Sequence, residues 1–198
     1  MPEVPAQKID FGGSKNFALS VHAALMRAGL PDVPARLLTA HTALSTGWGR
    51  SVDNYRLAGL KASESWRATK PYVVAQSCEC RAGYPNNPTS KFKCAPGTGQ
   101  KCFSMYWRAY DTLDEAVRDL VAVVRQPRYS NAYAMLLAGN TEYFAEVGRA
   151  GWYTADPAEV KAGAEKHLAT IDGWLDEPVG GIWLPVAIVV GLLWYALA

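Results

Sequence analysis

Ala43-Leu44-Ser45-Thr46-Gly47-Trp48-Gly49-Arg50-Ser51 sits where a helical pattern gives way to a turn. Upstream, the residues from about Asp32 to Ser45 read as a helix, and Gly47 and Gly49 supply the conformations that a tight turn after it needs. His41 lies one helical turn before Ser45, so both fall on one face. A Ser-His nucleophile would need a third orienting group, and the sequence offers none; a hydrogen-bonded helix histidine is the simpler reading. His22 and His167 show no sequence partner and read as structural.

Before this stretch, Phe17, Val21, Leu25 and Ala28 mark a helix with Ser14 as its expected N-cap and Gly29 as its stop. After it, Thr112-x-x-Glu115 is a capping box ahead of Leu113, Ala116, Val117, Leu120, Val121 and Val124, which share one helical face. Further helices are expected near Asn131 to Leu137, Thr141 to Arg149 with Asn140 as cap, and Ala158 to Trp174. Between Trp66 and Tyr110 the texture changes. Pro71 to Ala75 and Phe103 to Trp107 alternate with turn residues, which predicts a small hairpin. Ser63-Glu64-Ser65 reads as an exposed loop. Helices flanking a small sheet-bearing lobe make a mainly helical α+β domain with a cleft between lobes.

All 4 cysteines, Cys78, Cys80, Cys94 and Cys102, fall within that hairpin region. Bridging Cys78 to Cys80 is sterically poor, which leaves two pairings that join this pair to Cys94 and Cys102. Disulfides are favoured over a zinc site or free thiols, and they imply an oxidising space such as the periplasm, the cell exterior or a virion. The net charge of +2 gives no strong field for a nucleic-acid backbone. No phosphate loop or zinc-binding His motif is present, so no metal or organic cofactor is implied.

Residues 1–13 read as a polar arm, 14–175 as the folded domain and 176–181 as a Pro/Gly linker. Residues 182–198 carry Trp183 near one end and Trp194 with Tyr195 near the other, and the uncharged run that contains them, from Val179 to Ala198, would cover roughly 30 Å of hydrocarbon as a helix. They are expected to anchor the chain in a lipid bilayer, with a buried C-terminal helix as the alternative.

From Ser14 to Ile171 the chain resembles glycoside hydrolase family seventy-three, the bacterial and phage endo-β-N-acetylglucosaminidases with a lysozyme-like, two-lobed fold. Ala43 to Ser51 is similar to the family's Ala-Leu-Glu-Ser-Gly-Trp-Gly signature, and Asn54-Tyr55-Arg56-Leu57-Ala58-Gly59-Leu60-Lys61 to its Asn-Asn-Leu-Phe-Gly-Ile-Lys. Tyr106-Trp107-Arg108-Ala109-Tyr110-Asp111 looks like the Phe-Arg-Ala-Tyr segment. Gln126-Pro127-Arg128-Tyr129 and Ala150-Gly151-Trp152-Tyr153-Thr154-Ala155-Asp156-Pro157 look like Pro-Arg-Tyr and Ala-Gly-Tyr-Ala-Thr-Asp-Pro, with one extra residue in the latter.

The resemblance implies an enzyme that cleaves the peptidoglycan backbone, with glycan strands as its partner. It also exposes a departure: the family's general acid is the glutamate whose position Ser45 occupies. A hydroxyl cannot protonate a departing glycosidic oxygen near neutrality, and losing that donor costs on the order of 10² to 10⁴ in rate. The family's second carboxylate would match Glu79, which is also the candidate for a relocated acid. Glu64 is a weaker carboxylate candidate. Trp48, Tyr55, Tyr110, Trp152 and Tyr153 are the expected sugar contacts. Three readings stay open: a membrane-anchored peptidoglycan hydrolase, including one carried by a phage virion; an inactive glycan-binding or structural protein that docks virion or envelope proteins on the wall; and an enzyme silenced at Ser45.

Overall fold

The computed structural model describes residues 3–85, 98–153 and 156–177. Seven α-helices, one short 3-10 helix (Pro127–Tyr129) and one hairpin are found among the described residues: α1 (Ser14–Arg27), α2 (Asp32–Thr46), α3 (Glu64–Thr69), β1 (Tyr72–Ala82), β2 (Thr98–Arg108), α4 (Leu113–Val124), α5 (Ser130–Leu137), α6 (Tyr143–Arg149) and α7 (Pro157–Leu175). The mainly helical α+β architecture with a two-stranded hairpin is the one expected from the sequence.

The organising element is α2. It packs on α1, α5 and α7, and Leu37, Leu38, Ala40 and Ala43 are buried within it. Thr39, Thr42 and Thr46 are buried too, which is costly for a hydroxyl without a partner. Each satisfies itself within the helix: Thr39 Oγ1 donates to the Ala35 carbonyl at 2.8 Å, Thr42 Oγ1 to Thr39 at 2.8 Å and Thr46 Oγ1 to Thr42 at 2.7 Å. Around α2, the side chains of Phe17, Val21, Leu25, Leu120, Leu136, Phe144 and Ile171 close a continuous apolar core.

Helix ends show where local chemistry decides. Thr112 accepts the Glu115 amide at 3.2 Å, as its capping box requires. Asp156 caps α7 by accepting from Ala158 at 2.7 Å. Ser14 does not cap α1; Gly13 holds that position without a side-chain bond, and the helix begins at Ser14 itself. Ser63 accepts the Trp66 amide at 3.2 Å and starts α3, so Glu64 lies on a short helix and not in a loop. Arg36 of α2, largely buried, reaches Asp32 at 2.8 Å, Asp172 at 3.1 Å and Asp176 at 2.8 Å, tying α2 to the end of α7.

The N-terminal arm is docked on the fold. Val4 donates to the Tyr72 carbonyl at 2.9 Å, Ile9 to Val52 at 3.0 Å and Asn54 to Gln7 at 2.9 Å. Its backbone groups find partners at the hairpin base and in the turn after α2, which the sequence alone had left unassigned.

The hairpin is antiparallel, from Tyr72 opposite Arg108 to Ala82 opposite Thr98. Cys78 stands opposite Cys102 and Glu79 opposite Lys101 in this register. Cys94 and the expected anchor at 182–198 lie outside the described residues. Among the described residues, no helix is long and apolar enough to cross a membrane.

Candidate active-site groove

The turn after α2 sets the geometry. Gly47 ends the helix in the left-handed conformation at φ 59, and Trp48 and Gly49 follow at φ 63 and φ 79. A left-handed tryptophan is uncommon and is tolerated only where the surroundings fix it. Here the Trp48 amide donates to Ala43 at 3.0 Å, the Gly49 amide to Thr46 Oγ1 at 3.0 Å and the Ser51 amide to Thr46 at 3.0 Å. Gly49 also lies so close to Phe17 that an added Cβ would meet its ring at 2.5 Å. The turn thus leaves Ser45 exposed in the last turn of α2 while the chain doubles back beneath it.

Ser45 opens on a groove of about 460 Å³ lined by Leu44, Ser45, Gly59, Trp107, Tyr153 and Glu159, with Ala58, Trp152 and Val160 completing it. Its walls come from α2, the segment before the hairpin, β2, and the segment leading into α7. Ser45 Oγ and Tyr153 Oη lie 3.1 Å apart, a neutral hydrogen-bonded pair. Burial pushes the Tyr153 phenol upward, so it is a protonated hydroxyl at neutral pH. Trp107 turns its ring to Gly59, where a Cβ would come within 3.4 Å, and Arg56 stacks on the same indole at 5.1 Å.

Behind this wall sits His41. It is fully buried, its Nδ1 lies 2.7 Å from Tyr143 Oη, and its Nε2 has no hydrogen-bond partner. Desolvation pushes its pKa down to about 3, so the imidazole is neutral at physiological pH. The ring packs against Trp152 at 5.0 Å and Tyr153 at 5.2 Å. His41 is therefore a support for the groove's aromatic wall, and the Ser45 hydroxyl is bonded to Tyr153.

Of the residues singled out from the sequence, Ser45, Trp152 and Tyr153 meet in this groove, whereas Trp48, Tyr55 and Tyr110 do not line it. Trp48 packs edge-on against His167 at 4.6 Å and Trp174 at 5.2 Å, which gives His167 an aromatic neighbour. Tyr55 lies edge-on to Phe11 at 6.4 Å. Tyr110 is buried and donates to Asp119 at 2.6 Å, where Arg108 also binds at 2.6 Å; that triad joins the hairpin exit to α4. His22 has a partner as well, Asp32 at 3.0 Å. Glu79 has the same strand parity as Val73 and Ala75 and faces Lys101 in register; its side chain is outside the described set.

Sequence reasoning missed Glu159 and did not assign Trp107 to the site. The Asp156-Pro157 helix start, three residues after Tyr153, was the available signal for Glu159, because it fixes which residue falls in the first turn of α7. A second hollow of about 460 Å³, lined by Trp66, Lys70, Tyr110, Glu115 and Asp119 among others, lies away from Ser45. Its Asp119 is already held by Arg108 and Tyr110. Among the described residues, no group of His, Cys, Asp or Glu is placed to hold a metal ion.

No family model matches the chain. It is 36% identical over 138 residues to the peptidoglycan hydrolase FlgJ of Vibrio cholerae, an alignment that takes in 66% of this chain and 35% of that protein. The chain thus spans about a third of this relative's length. Among solved structures, a peptidoglycan hydrolase mutant from Sphingomonas sp. A1 superposes with a TM-score of 0.60 at 24% identity, covering 81% of this chain and 97% of the other. The C-terminally truncated glycoside hydrolase domain of Salmonella typhimurium FlgJ gives a TM-score of 0.54 at 24% identity, covering 81% and 99%. The chain has the fold of the FlgJ glycoside hydrolase domain and is a distant sequence relative of FlgJ-type peptidoglycan hydrolases.

Proposed function

We propose that this chain is a peptidoglycan hydrolase domain that binds a glycan strand in the groove beside Ser45 and cleaves its backbone as an endo-β-N-acetylglucosaminidase. One observation carries this reading: Ser45, Tyr153, Trp152 and Trp107, drawn from segments far apart in sequence, converge on one open groove. Flat aromatic faces with hydroxyls at their edge suit sugar rings, whose axial faces are apolar and whose rims are polar. The curated relatives named as peptidoglycan hydrolases support the substrate class. Glu79, on the hairpin, is assigned the role of the carboxylate contributed by that lobe.

The second reading, a glycan-binding domain without cleavage, is favoured by one feature: Ser45 Oγ is paired with Tyr153 Oη and supplies no acid. Release of reducing ends from purified peptidoglycan, beside a pull-down on the same polymer, separates the two. Cleavage by the chain supports hydrolysis; retention on the polymer without cleavage supports the binding domain. Absence of both rejects the groove as a glycan site.

The uncharged segment 182–198 is proposed to anchor the domain in a bilayer, with the domain in an oxidising space and a phage virion or cell envelope as its setting. Detergent-dependent solubility that disappears when residues after Leu175 are deleted is the expected result; unchanged solubility removes the anchor.

A further inference from the structure

Hydrolysis of a glycosidic bond needs a proton for the departing oxygen, and Ser45 cannot give it. Among the residues that line the groove, one carries a carboxyl group: Glu159. It is exposed, in the first turn of α7, and its backbone is fixed by the Asp156 cap, which accepts its amide at 3.4 Å, and by the buried Val160 beside it. The nearby acids on this side of the fold, Glu142 and Glu165, are both engaged by Lys161, at 3.4 Å and 2.8 Å. Among the described residues, Glu159 has no such ion pair, so its carboxyl is available to a ligand.

We propose that Glu159 is the groove's proton donor, supplying from the start of α7 the acid that α2 lacks at Ser45. The assignment rests on the hydrolase reading above. In the step, the Glu159 carboxyl transfers its proton to the glycosidic oxygen as the bond from that oxygen to the anomeric carbon breaks. A water molecule adds to the anomeric carbon and loses a proton to solvent, and the carboxylate regains one from solvent. Atoms and charge balance as hydrolysis. Ser45 and Tyr153, paired at 3.1 Å, face the same strand as neutral hydrogen-bonding groups.

The test compares four forms of the 198-residue chain: the parent, Glu159→Gln, Ser45→Glu, and the double variant Ser45→Glu with Glu159→Gln. Reducing-end release and retention on peptidoglycan are read for each. The expected result is a fall of roughly 10²-fold or more in Glu159→Gln with retention kept, and recovery in the double variant, which also shows that the glutamine form folds. Parent-like cleavage by Glu159→Gln overturns the assignment while leaving the hydrolase reading intact. A parent that is retained but inert, beside an active Ser45→Glu form, overturns both the assignment and hydrolysis by the natural chain. Loss of retention in every form rejects the groove as a glycan site and the assignment with it.

Discussion

Removing the Tyr143 hydroxyl tests whether the buried histidine is a structural support of the groove. Tyr143 and His41 are both fully buried, and their contact, 2.7 Å from Oη to Nδ1, is the one hydrogen bond the imidazole makes. His41 Nε2 is already without a partner. Tyr143→Phe therefore leaves a buried ring with neither nitrogen satisfied while changing almost no volume. A buried polar group stripped of its partner costs about 1–3 kcal/mol. For a chain of this size that corresponds to a melting temperature lower by roughly 2–12 °C. The companion variant, His41→Leu with Tyr143→Phe, removes both polar partners and should recover part of that loss, because replacing both by apolar groups is close to neutral. Urea and thermal unfolding of the three forms, followed by tryptophan fluorescence, give the comparison. If Tyr143→Phe unfolds at the parent's midpoint, or if the double variant is less stable than the single one, the support role assigned to His41 is wrong.

Acid should destabilise the fold through the same residue. His41 titrates near 3 in the folded chain against 6.5 for an unperturbed side chain, so the unfolded chain takes up its proton first. Its contribution is fully present above pH 6.5, declines as pH falls, and is exhausted near pH 3, on the order of 4–5 kcal/mol in all. His41→Leu should flatten that part of the stability-pH curve, and an unchanged slope rejects the argument. Gly49→Ala should destabilise by about 2–4 kcal/mol, since its Cβ would sit 2.5 Å from Phe17 at a φ of 79; chemical denaturation measures it, and a neutral result excludes the close approach. Trp152→Ala should weaken retention on peptidoglycan by about tenfold, whereas Trp48→Ala, after allowance for lost stability, should leave retention within about twofold. Equal losses from both would place the glycan elsewhere.

Long amphipathic helices were legible because their signal is local and repeated. The faces of α1 and α4, the capping box at Thr112 and the α2 boundary all follow from spacing and end chemistry. What failed to show was contact between distant segments. The N-terminal arm looked polar and unattached because its partners are backbone groups of Val52, Asn54 and Tyr72, which no side-chain pattern reports. Trp48 was expected among the sugar contacts, yet with its backbone left-handed it packs against His167 and Trp174. Proximity in sequence is a poor guide across such a turn. Tyr110, expected as a sugar contact, is buried, with its hydroxyl drawn inward by Asp119, which Arg108 also binds. Glu159 escaped notice because a first-turn glutamate is ordinary in any helix, and only the return of α7 against α2 brings it to the groove.

The self-contained threonine bonding within α2 has a consequence for how freely the chemistry can change. Because Thr39, Thr42 and Thr46 each close their hydroxyls on the preceding turn, the central helix asks nothing of the residue at 45. That position is an exposed end of a scaffold already complete without it. An acid, a hydroxyl or a neutral amide placed there alters the charge and hydrogen bonding offered to the groove while the architecture beneath stays the same. Substitution at 45 can thus change the groove's chemistry without drawing on the stability of the helix that carries it.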